Sequence, residues 1–240
     1  MKISNKGIKK ETKTVTDAEN KAAVREKSLT VEDSAEIHEI RRRIRRGALK
    51  ARDALSSDER RRGSLLMTER ILGHQWFYSS DIFLCFVSFG SEIDTNELLR
   101  EAIRLGKKVY VPKVITSSQK NDMTFYKDDM HFYRSDMHFY RVTALSELSE
   151  GYKGIFEPTG MSEKYEYRAE NASRTLLLMP GAAFDGFRNR LGYGKGFYDA
   201  FLADKEALQL RTIAVGFQCQ MVEKIPEREG DIKPCQVICL

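Results

Sequence analysis

The sequence predicts an α/β fold in which a mostly parallel sheet is flanked by helices. Two strand–helix–strand units indicate this fold, one within residues 82–114 and the other within residues 175–217. Strands that are joined by a helix over so short a distance run parallel. The third observation is a glycine-rich loop after the first strand of the second unit, because parallel sheets bind ligands at the carboxyl ends of their strands.

The N-terminal third begins with a segment that carries little apolar periodicity. Residues 1–33 are polar and lysine-rich, so we predict a disordered extension that folding does not require, followed by a single domain over residues 34–240. A basic helix is predicted from Ser34 to about Ala54.

A second helix is expected to begin at Ser56. Glu59 lies three residues further on, which is the spacing of a capping box, and Gly73 is a plausible C-terminal stop.

In the first strand–helix–strand unit, residues 82–88 form a continuous apolar run, which predicts a strand buried on both faces. The next helix is expected to begin with capping spacing between Asp94 and Glu97 and to end at Gly106. The second strand of this unit is predicted over residues 108–114.

The second unit has strands at residues 175–180 and 212–217 and a helix over about residues 197–210.

The middle of the chain contains a repeat. The pattern Asp-Met-x-Phe-Tyr-basic occurs three times within residues 121–141, with a period of seven residues. In one continuous strand, successive copies would face opposite sides, so they cannot all serve the same strand role. A short helical seam and an aromatic platform for bases are compatible with the pattern. We favour a duplicated surface insertion in which the last copy supplies a native strand and the others form an exposed loop or hairpin.

Composition restricts the class of protein. The net charge is +5, and the densest basic segment is residues 41–52, which has seven cations and no acid before Asp53. This segment is compatible with a solvated helix face, a nucleic-acid contact or a small phosphate ligand. Four cysteines without a CxxC pair, no zinc-ligand spacing, no secretory leader and no bilayer-length apolar run favour a cytoplasmic protein without a membrane anchor.

The most informative stretch is DGFRNRLGYGKGFYDAFL, residues 185–202. Its glycines alternate with Tyr193 and Lys195, and two arginines precede them. The spacing matches neither G-x-G-x-x-G nor the P-loop. Glycine amides, nearby cations and the start of a helix nevertheless favour an anion site, and the alternative is a tight turn that needs glycine only for its geometry.

Residues 176–202, LLLMPGAAFDGFRNRLGYGKGFYDAFL, resemble the signature of the 5-formyltetrahydrofolate cyclo-ligase family, also called 5,10-methenyltetrahydrofolate synthetases. The resemblance extends over about residues 36–235 and includes SEIDT at 91–95 and GYKGIFEP at 151–158. It implies a fold related to the ribose-5-phosphate isomerase and CoA-transferase group. It also implies ATP with Mg²⁺, a reduced folate substrate, and closure of 5-formyltetrahydrofolate to 5,10-methenyltetrahydrofolate through phosphorylation of the formyl oxygen and attack by N10.

The same resemblance assigns roles to individual residues. The catalytic residues are expected to be Lys195, Arg190 and Arg45, and Glu92 is expected to contact the folate. Asp199 and Asp231 are expected to bind the metal. The residues expected to bind ATP are Arg41, Arg45, Arg190, Gly192, Tyr193, Gly194, Lys195, Gly196, Phe197 and Tyr198.

Three departures from the family pattern keep an alternative open. Arg41 stands in place of a lysine, Arg188 stands where glycine is usual, and the triple repeat replaces a single short segment. The alternative is a catalytically weakened paralogue that binds folate or RNA. The preferred prediction is a monomeric enzyme whose partners are ATP and a reduced folate, with no membrane or nucleic-acid partner.

Overall fold

The computed structural model describes residues 35–115, 136–151, 154–159 and 162–240. The α-helices in these ranges are 35–53 (α1), Ser57–Leu72 (α2), Gln75–Ser79 (α3), Asn96–Arg104 (α4), Phe197–Leu202 (α5) and Glu206–Gln209 (α6). The strands are Ile82–Cys85 (β1), Lys108–Ile115 (β2), Asp136–Val142 (β3), Leu148–Glu150 (β4), Phe156–Pro158 (β5), Thr175–Met179 (β6), Ala183–Asp185 (β7), Arg190–Leu191 (β8), Thr212–Gly216 (β9), Met221–Val222 (β10) and Gln236–Cys239 (β11).

A six-stranded sheet in the order β11-β9-β6-β1-β2-β3 forms the centre of the fold. All neighbouring pairs from β11 to β2 are parallel, and β3 alone runs antiparallel on the edge beside β2. The predicted α/β class and the parallel pairing within both strand–helix–strand units are therefore confirmed. Two small sheets, β10-β7-β8 and β4-β5, accompany the central one.

The central strands are buried on both faces, as their continuous apolar runs predict. Phe83 and Cys85 belong to one apolar cluster together with residues of α2 and α4, whereas Leu84 belongs to a second cluster with residues of α5 and α6. Successive strand residues point to opposite faces, so the two clusters are the two covered sides of the sheet.

The helix after Ser56 forms as predicted. The Ser56 hydroxyl accepts a hydrogen bond from the Glu59 amide, and the Glu59 carboxylate accepts one from the Ser56 amide at 2.8 Å. Gly73 ends this helix with a right-handed φ of −79°, so the stop does not use the conformational freedom of glycine.

The predicted cap at Asp94 is wrong. Thr95 occupies the N-cap position of α4, and its hydroxyl donates to the Phe86 carbonyl at 2.9 Å instead of capping the helix. The Asp94 carboxylate accepts from the Asn96 amide at 2.9 Å, in a turn that precedes the helix. At the other end of the helix, Gly106 adopts a left-handed φ of 76°, as a glycine stop predicts.

The predicted helix over residues 197–210 is two short helices, α5 and α6. Leu202 and Leu208 are both fully buried, yet on one continuous helix they would lie roughly 120° apart around the axis. The break allows both side chains to reach the same core. The Lys205 amide and the Gln209 side chain satisfy the Leu202 carbonyl, each at 2.9 Å.

The last copy of the repeat is strand β3, which confirms that part of the interpretation. Met137 and Phe139 are buried, whereas His138 and Tyr140 are only partly covered, as expected for an edge strand with one covered face. The Phe139 ring lies 4.9 Å from that of Phe201. The first two copies lie outside the described residues, so their assignment to a loop or hairpin stays a prediction.

The topology brings two loops to one edge of the sheet. Cys85 of β1 pairs in parallel with Leu178 of β6, so both strands end at this edge. The first loop, residues 86–95, connects β1 to α4, and the second contains the alternating glycines. The chain divides into two compact units after Arg43, and every contact described below lies within Ile44–Leu240.

Candidate active site

The glycine loop, residues 192–196, links β8 to α5. Gly194 and Gly196 adopt left-handed φ angles of 92° and 67°, which a side chain disfavours. A β-carbon on Gly192 would lie 3.1 Å from the Nη1 atom of Arg190. Local geometry therefore explains Gly194 and Gly196 and makes a side chain at Gly192 a tight fit, so the argument for an anion site rests on the charges around the loop.

A buried carboxylate fixes the hairpin before this loop. Asp185 accepts hydrogen bonds from the backbone amides of Phe187, Asn189 and Ile225 and from the Asn189 side chain, all at 2.8–2.9 Å. Burial alone would raise the pKa of Asp185, but these hydrogen bonds outweigh it and lower the pKa. The loop therefore starts from a rigid support.

Two of the predicted phosphate ligands lie at the glycine loop. Lys195 is exposed and makes no hydrogen bond or ion pair with another described residue. The Nε atom of Arg45, on α1, donates to the Gly192 carbonyl at 2.7 Å. Its guanidinium carbon lies 3.7 Å from the position that a β-carbon of Gly194 would occupy. Arg45 thus lies directly against the loop.

Arg190 lies below the loop, and its side chain is only 4% exposed. It donates to Asp199 at 3.2 Å and to the Pro180 carbonyl at 3.3 Å, and its guanidinium carbon is 5.5 Å from the centre of the Tyr198 ring. Its Nε atom is buried without a hydrogen-bond partner. In this conformation Arg190 orients Asp199, and its predicted contact with phosphate stays a prediction.

The two predicted metal ligands belong to neighbouring segments. The Asp199 Oδ1 atom accepts from the Ile232 amide at 3.2 Å, which fixes the segment that contains Asp231 beside α5. Asp231 also accepts from the Arg228 amide at 3.2 Å. Within the described ranges, no three His, Cys, Asp or Glu residues cluster in a way that would suit a metal.

Phe197 and Tyr198 directly follow the glycine loop and are partly buried. Both pack against the second apolar cluster, where the Tyr198 ring lies 6.4 Å from that of Phe139. Burial raises the pKa of the Tyr198 phenol well above its ordinary value. The charges of Glu92 and Arg190 also act on this phenol, and the predicted part of both residues in nucleotide binding stays a prediction.

Glu92, the predicted folate contact, lies in the loop after β1 and faces the glycine loop. Its Oε1 atom accepts a hydrogen bond from the Tyr193 hydroxyl, and its Oε2 atom accepts one from the Phe89 amide at 2.9 Å. Burial raises the pKa of the Glu92 carboxyl, although both hydrogen bonds and the charge of Arg52 oppose the increase. Tyr193 therefore joins the two loops directly.

Sequence reasoning did not identify Arg52 as a member of this group. Arg52 is 7% exposed, and it donates from Nη1 to the Tyr193 hydroxyl at 2.6 Å and from Nε to the Ser91 hydroxyl at 2.9 Å. Asp53 lies 3.9 Å away and accepts from Ser91. The only signal in the sequence was membership of the basic segment, because the contact with Tyr193 spans 141 residues.

An open cleft of about 400 Å³ borders the other side of Glu92. Its walls are residues of α2, of the loop after β1 and of the start of α4, and they include Arg60, Arg61, Ser64 and Gly90.

Arg188 stands where the family resemblance leads one to expect glycine. Its φ of 65° is the only positive φ of a residue other than glycine in the described ranges. The backbone therefore keeps a conformation that glycine would adopt more readily. Its guanidinium donates to the Cys235 carbonyl at 3.0 Å, away from the glycines, so the side chain does not crowd the loop.

Arg41 belongs to the other compact unit, so its predicted contact with ATP stays a prediction. None of the helices in the part of the chain that the structure describes combines the length and the apolar character needed to cross a lipid bilayer.

Comparisons with known proteins agree with the resemblance. The sequence profile of the 5-formyltetrahydrofolate cyclo-ligase family matches residues 37–239. The chain is 28% identical to the 5-formyltetrahydrofolate cyclo-ligase of Mus musculus, over 77% of this chain and 86% of the mouse protein. It is 31% identical to the Escherichia coli K12 enzyme of the same name, over 61% and 71% of the two chains.

A solved structure supports the same conclusion. The 5,10-methenyltetrahydrofolate synthetase of Aquifex aeolicus superposes with a TM-score of 0.62 at 26% identity. The superposition covers 81% of this chain and 87% of the Aquifex chain.

Proposed function

The chain belongs to the 5-formyltetrahydrofolate cyclo-ligase family, and we infer that it is an ATP-dependent ligase that converts 5-formyltetrahydrofolate to 5,10-methenyltetrahydrofolate. The family profile spans nearly all of the chain after the N-terminal extension. This match does not favour the alternative of a protein that only binds folate or RNA.

One observation links this reaction to the geometry. Tyr193, between the glycines of the predicted nucleotide loop, is hydrogen-bonded to Glu92, the predicted folate contact. The folate and the nucleotide would therefore meet across a single side chain. Transfer of a phosphoryl group requires this proximity, because the acceptor oxygen and the γ-phosphate must lie in line and in contact.

The chemistry assigned to the site activates a poor electrophile. The formyl oxygen attacks the γ-phosphorus of ATP, the bond to the β–γ bridging oxygen breaks, and ADP leaves. The carbon of the resulting iminophosphate accepts the N10 lone pair, and N10 loses its proton to the phosphate group or to water. The C–O bond then breaks to release inorganic phosphate. No protein nucleophile is required, so the side chains act by positioning and by neutralising charge.

The exposed ammonium of Lys195 suits the γ-phosphate, and Arg45 suits the phosphates above the glycines. Glu92 would accept hydrogen bonds from the N–H groups of the pterin. Arg190 would act mainly by fixing Asp199, since its buried guanidinium is already bonded to that carboxylate.

Asp199 and Asp231 would hold Mg²⁺ with phosphate oxygens and water as the other ligands. Magnesium often binds proteins through one or two carboxylates, so a pair of aspartates on adjoining segments fits it. When bound, the metal neutralises charge on the phosphates. Asp199 Oδ1 already accepts two hydrogen bonds, so Oδ2 would be the oxygen of Asp199 that holds the metal.

We also propose a cytoplasmic, monomeric enzyme. Cys85, Cys219, Cys235 and Cys239 are all free thiols, which suits a reducing compartment.

The position of an oxygen isotope tests the proposed chemistry. If the formyl oxygen is phosphorylated, 5-formyltetrahydrofolate labelled with ¹⁸O at the formyl group transfers its label to inorganic phosphate, one atom per methenyl product. Mass spectrometry of the phosphate measures this transfer. Label released into water instead of phosphate would contradict the mechanism, even if methenyl product still forms.

A further inference from the structure

The proposed reaction leaves one buried charged group in the site without a role. Arg52 lies on α1, and its side chain is 8% exposed. It contacts the loop after β1 through Ser91 and the glycine loop through Tyr193. Removing a guanidinium from water costs free energy that its hydrogen bonds must offset. The burial of Arg52 between two separate loops therefore requires an explanation.

The hydrogen bonds around Tyr193 have a defined direction. A guanidinium can only donate, so the Tyr193 hydroxyl accepts from Arg52. That hydroxyl has a single proton, which is left for the Oε1 atom of Glu92. The Phe89 amide also can only donate, and it bonds to Oε2. Both oxygens of Glu92 are thereby fixed as acceptors.

This direction matters for a ligand that carries N–H groups. An ionised carboxylate accepts hydrogen bonds from such groups at both oxygens, whereas a protonated carboxyl group uses one oxygen as a donor. Burial opposes ionisation of Glu92. The positive charge of Arg52 and the hydroxyl of Tyr193 both favour the ionised form. Arg52 therefore acts on Glu92 without touching it.

We propose that Arg52 is a positioning residue that acts through the Tyr193 hydroxyl to keep Glu92 oriented and ionised for the folate. The proposal rests on the proposed function, since it assumes that Glu92 binds the folate. Arg52 itself makes no contact with the reacting atoms.

The test compares Arg52→Gln with Tyr193→Phe and with the double variant, after turnover by the wild-type protein has been established. We expect each single change to raise KM for 5-formyltetrahydrofolate by at least about tenfold, because each removes a hydrogen bond to or beside a charged group. KM for ATP is expected to change much less. The matched control is Arg46→Ala on the same helix, where the side chain is exposed and the kinetics are expected to stay as in the wild type.

The double variant distinguishes a shared pathway from two separate defects. If Arg52 acts through Tyr193, the double variant is no worse than the more impaired single variant. Three outcomes would each overturn the proposal. In the first, the double variant shows the product of the two single effects on KM for folate. In the second, KM for ATP rises as much as KM for folate, and in the third a folded Arg52→Gln protein keeps the wild-type KM for folate. If the Arg52→Gln protein does not fold, Arg52→Lys takes its place in the same comparison of KM for folate with KM for ATP. Absence of turnover in the wild-type protein would instead refute the proposed function.

Discussion

At the scale of single residues, Glu92 shows how burial and hydrogen bonding act on one carboxylate in opposite directions. Burial raises its pKa, whereas the Tyr193 hydroxyl, the Phe89 amide and the charge of Arg52 lower it, and the net shift is upward. Recognition of the folate through this residue should therefore depend on pH.

We predict an acidic limb in the pH profile of kcat/KM for the folate. Because the pKa of Glu92 is raised, the ionised form is lost as pH falls through a value above the ordinary pKa of about 4.3. In Tyr193→Phe the limb is expected to move to higher pH, since a hydrogen bond to the ionised form is lost. Glu92→Gln is expected to lower kcat/KM at least about tenfold and to abolish the limb. An unchanged limb in Glu92→Gln would assign it to another group.

Arg188 provides a test of stability at the same scale. With φ at 65°, an arginine pays a steric cost that glycine does not. Arg188→Gly is therefore expected to be more stable in urea than Arg188→Ala by about 1 kcal/mol. Both variants lose the hydrogen bond to Cys235, so their comparison isolates the backbone. Equal stability of the two variants would show that the turn relaxes without strain.

At the scale of elements, the sequence predicted those helices and strands whose residue pattern is local in the chain. Buried parallel strands are continuous apolar runs, and the capping box at Ser56 is a four-residue pattern, so both could be predicted. The break between Leu202 and Leu208 could not, because it depends on both leucines reaching one core. The contact of Arg52 with Tyr193 is equally non-local.

The repeat offers a prediction about elements. Strand β3 takes the last copy, so deletion of residues 121–134 is expected to leave its pairing with β2 intact and to preserve turnover. Loop closure costs only about 0.6 kcal/mol per doubling of length, so removal of two copies changes stability little. Thermal unfolding and the rate of methenyl formation measure both effects. A chain that aggregates after the deletion would show that the first two copies contribute to the fold.

At the scale of the whole molecule, the site depends on the meeting of two loops at one edge of the sheet. The order of β6 beside β1 brings the glycine loop to the loop that contains Glu92, and Tyr193 bridges them. Sequence patterns identified each loop separately. The fold was required for three features: the hydrogen-bonded contact of the two loops, the burial of Arg190, and the packing of Phe197 and Tyr198 against the second apolar cluster. Each depends on residues that are distant in the chain.

The central claim is that these loops bring ATP and a reduced folate into reaction, and the most direct test is the absorbance of the methenyl product. Wild-type protein mixed with 5-formyltetrahydrofolate, ATP and Mg²⁺ is expected to develop this band, and omission of ATP is expected to abolish it. Lys195→Ala is expected to slow the reaction at least about tenfold while the folate still binds, because the lost charge faces the phosphates. A protein that binds the folate but never develops the band would contradict the account.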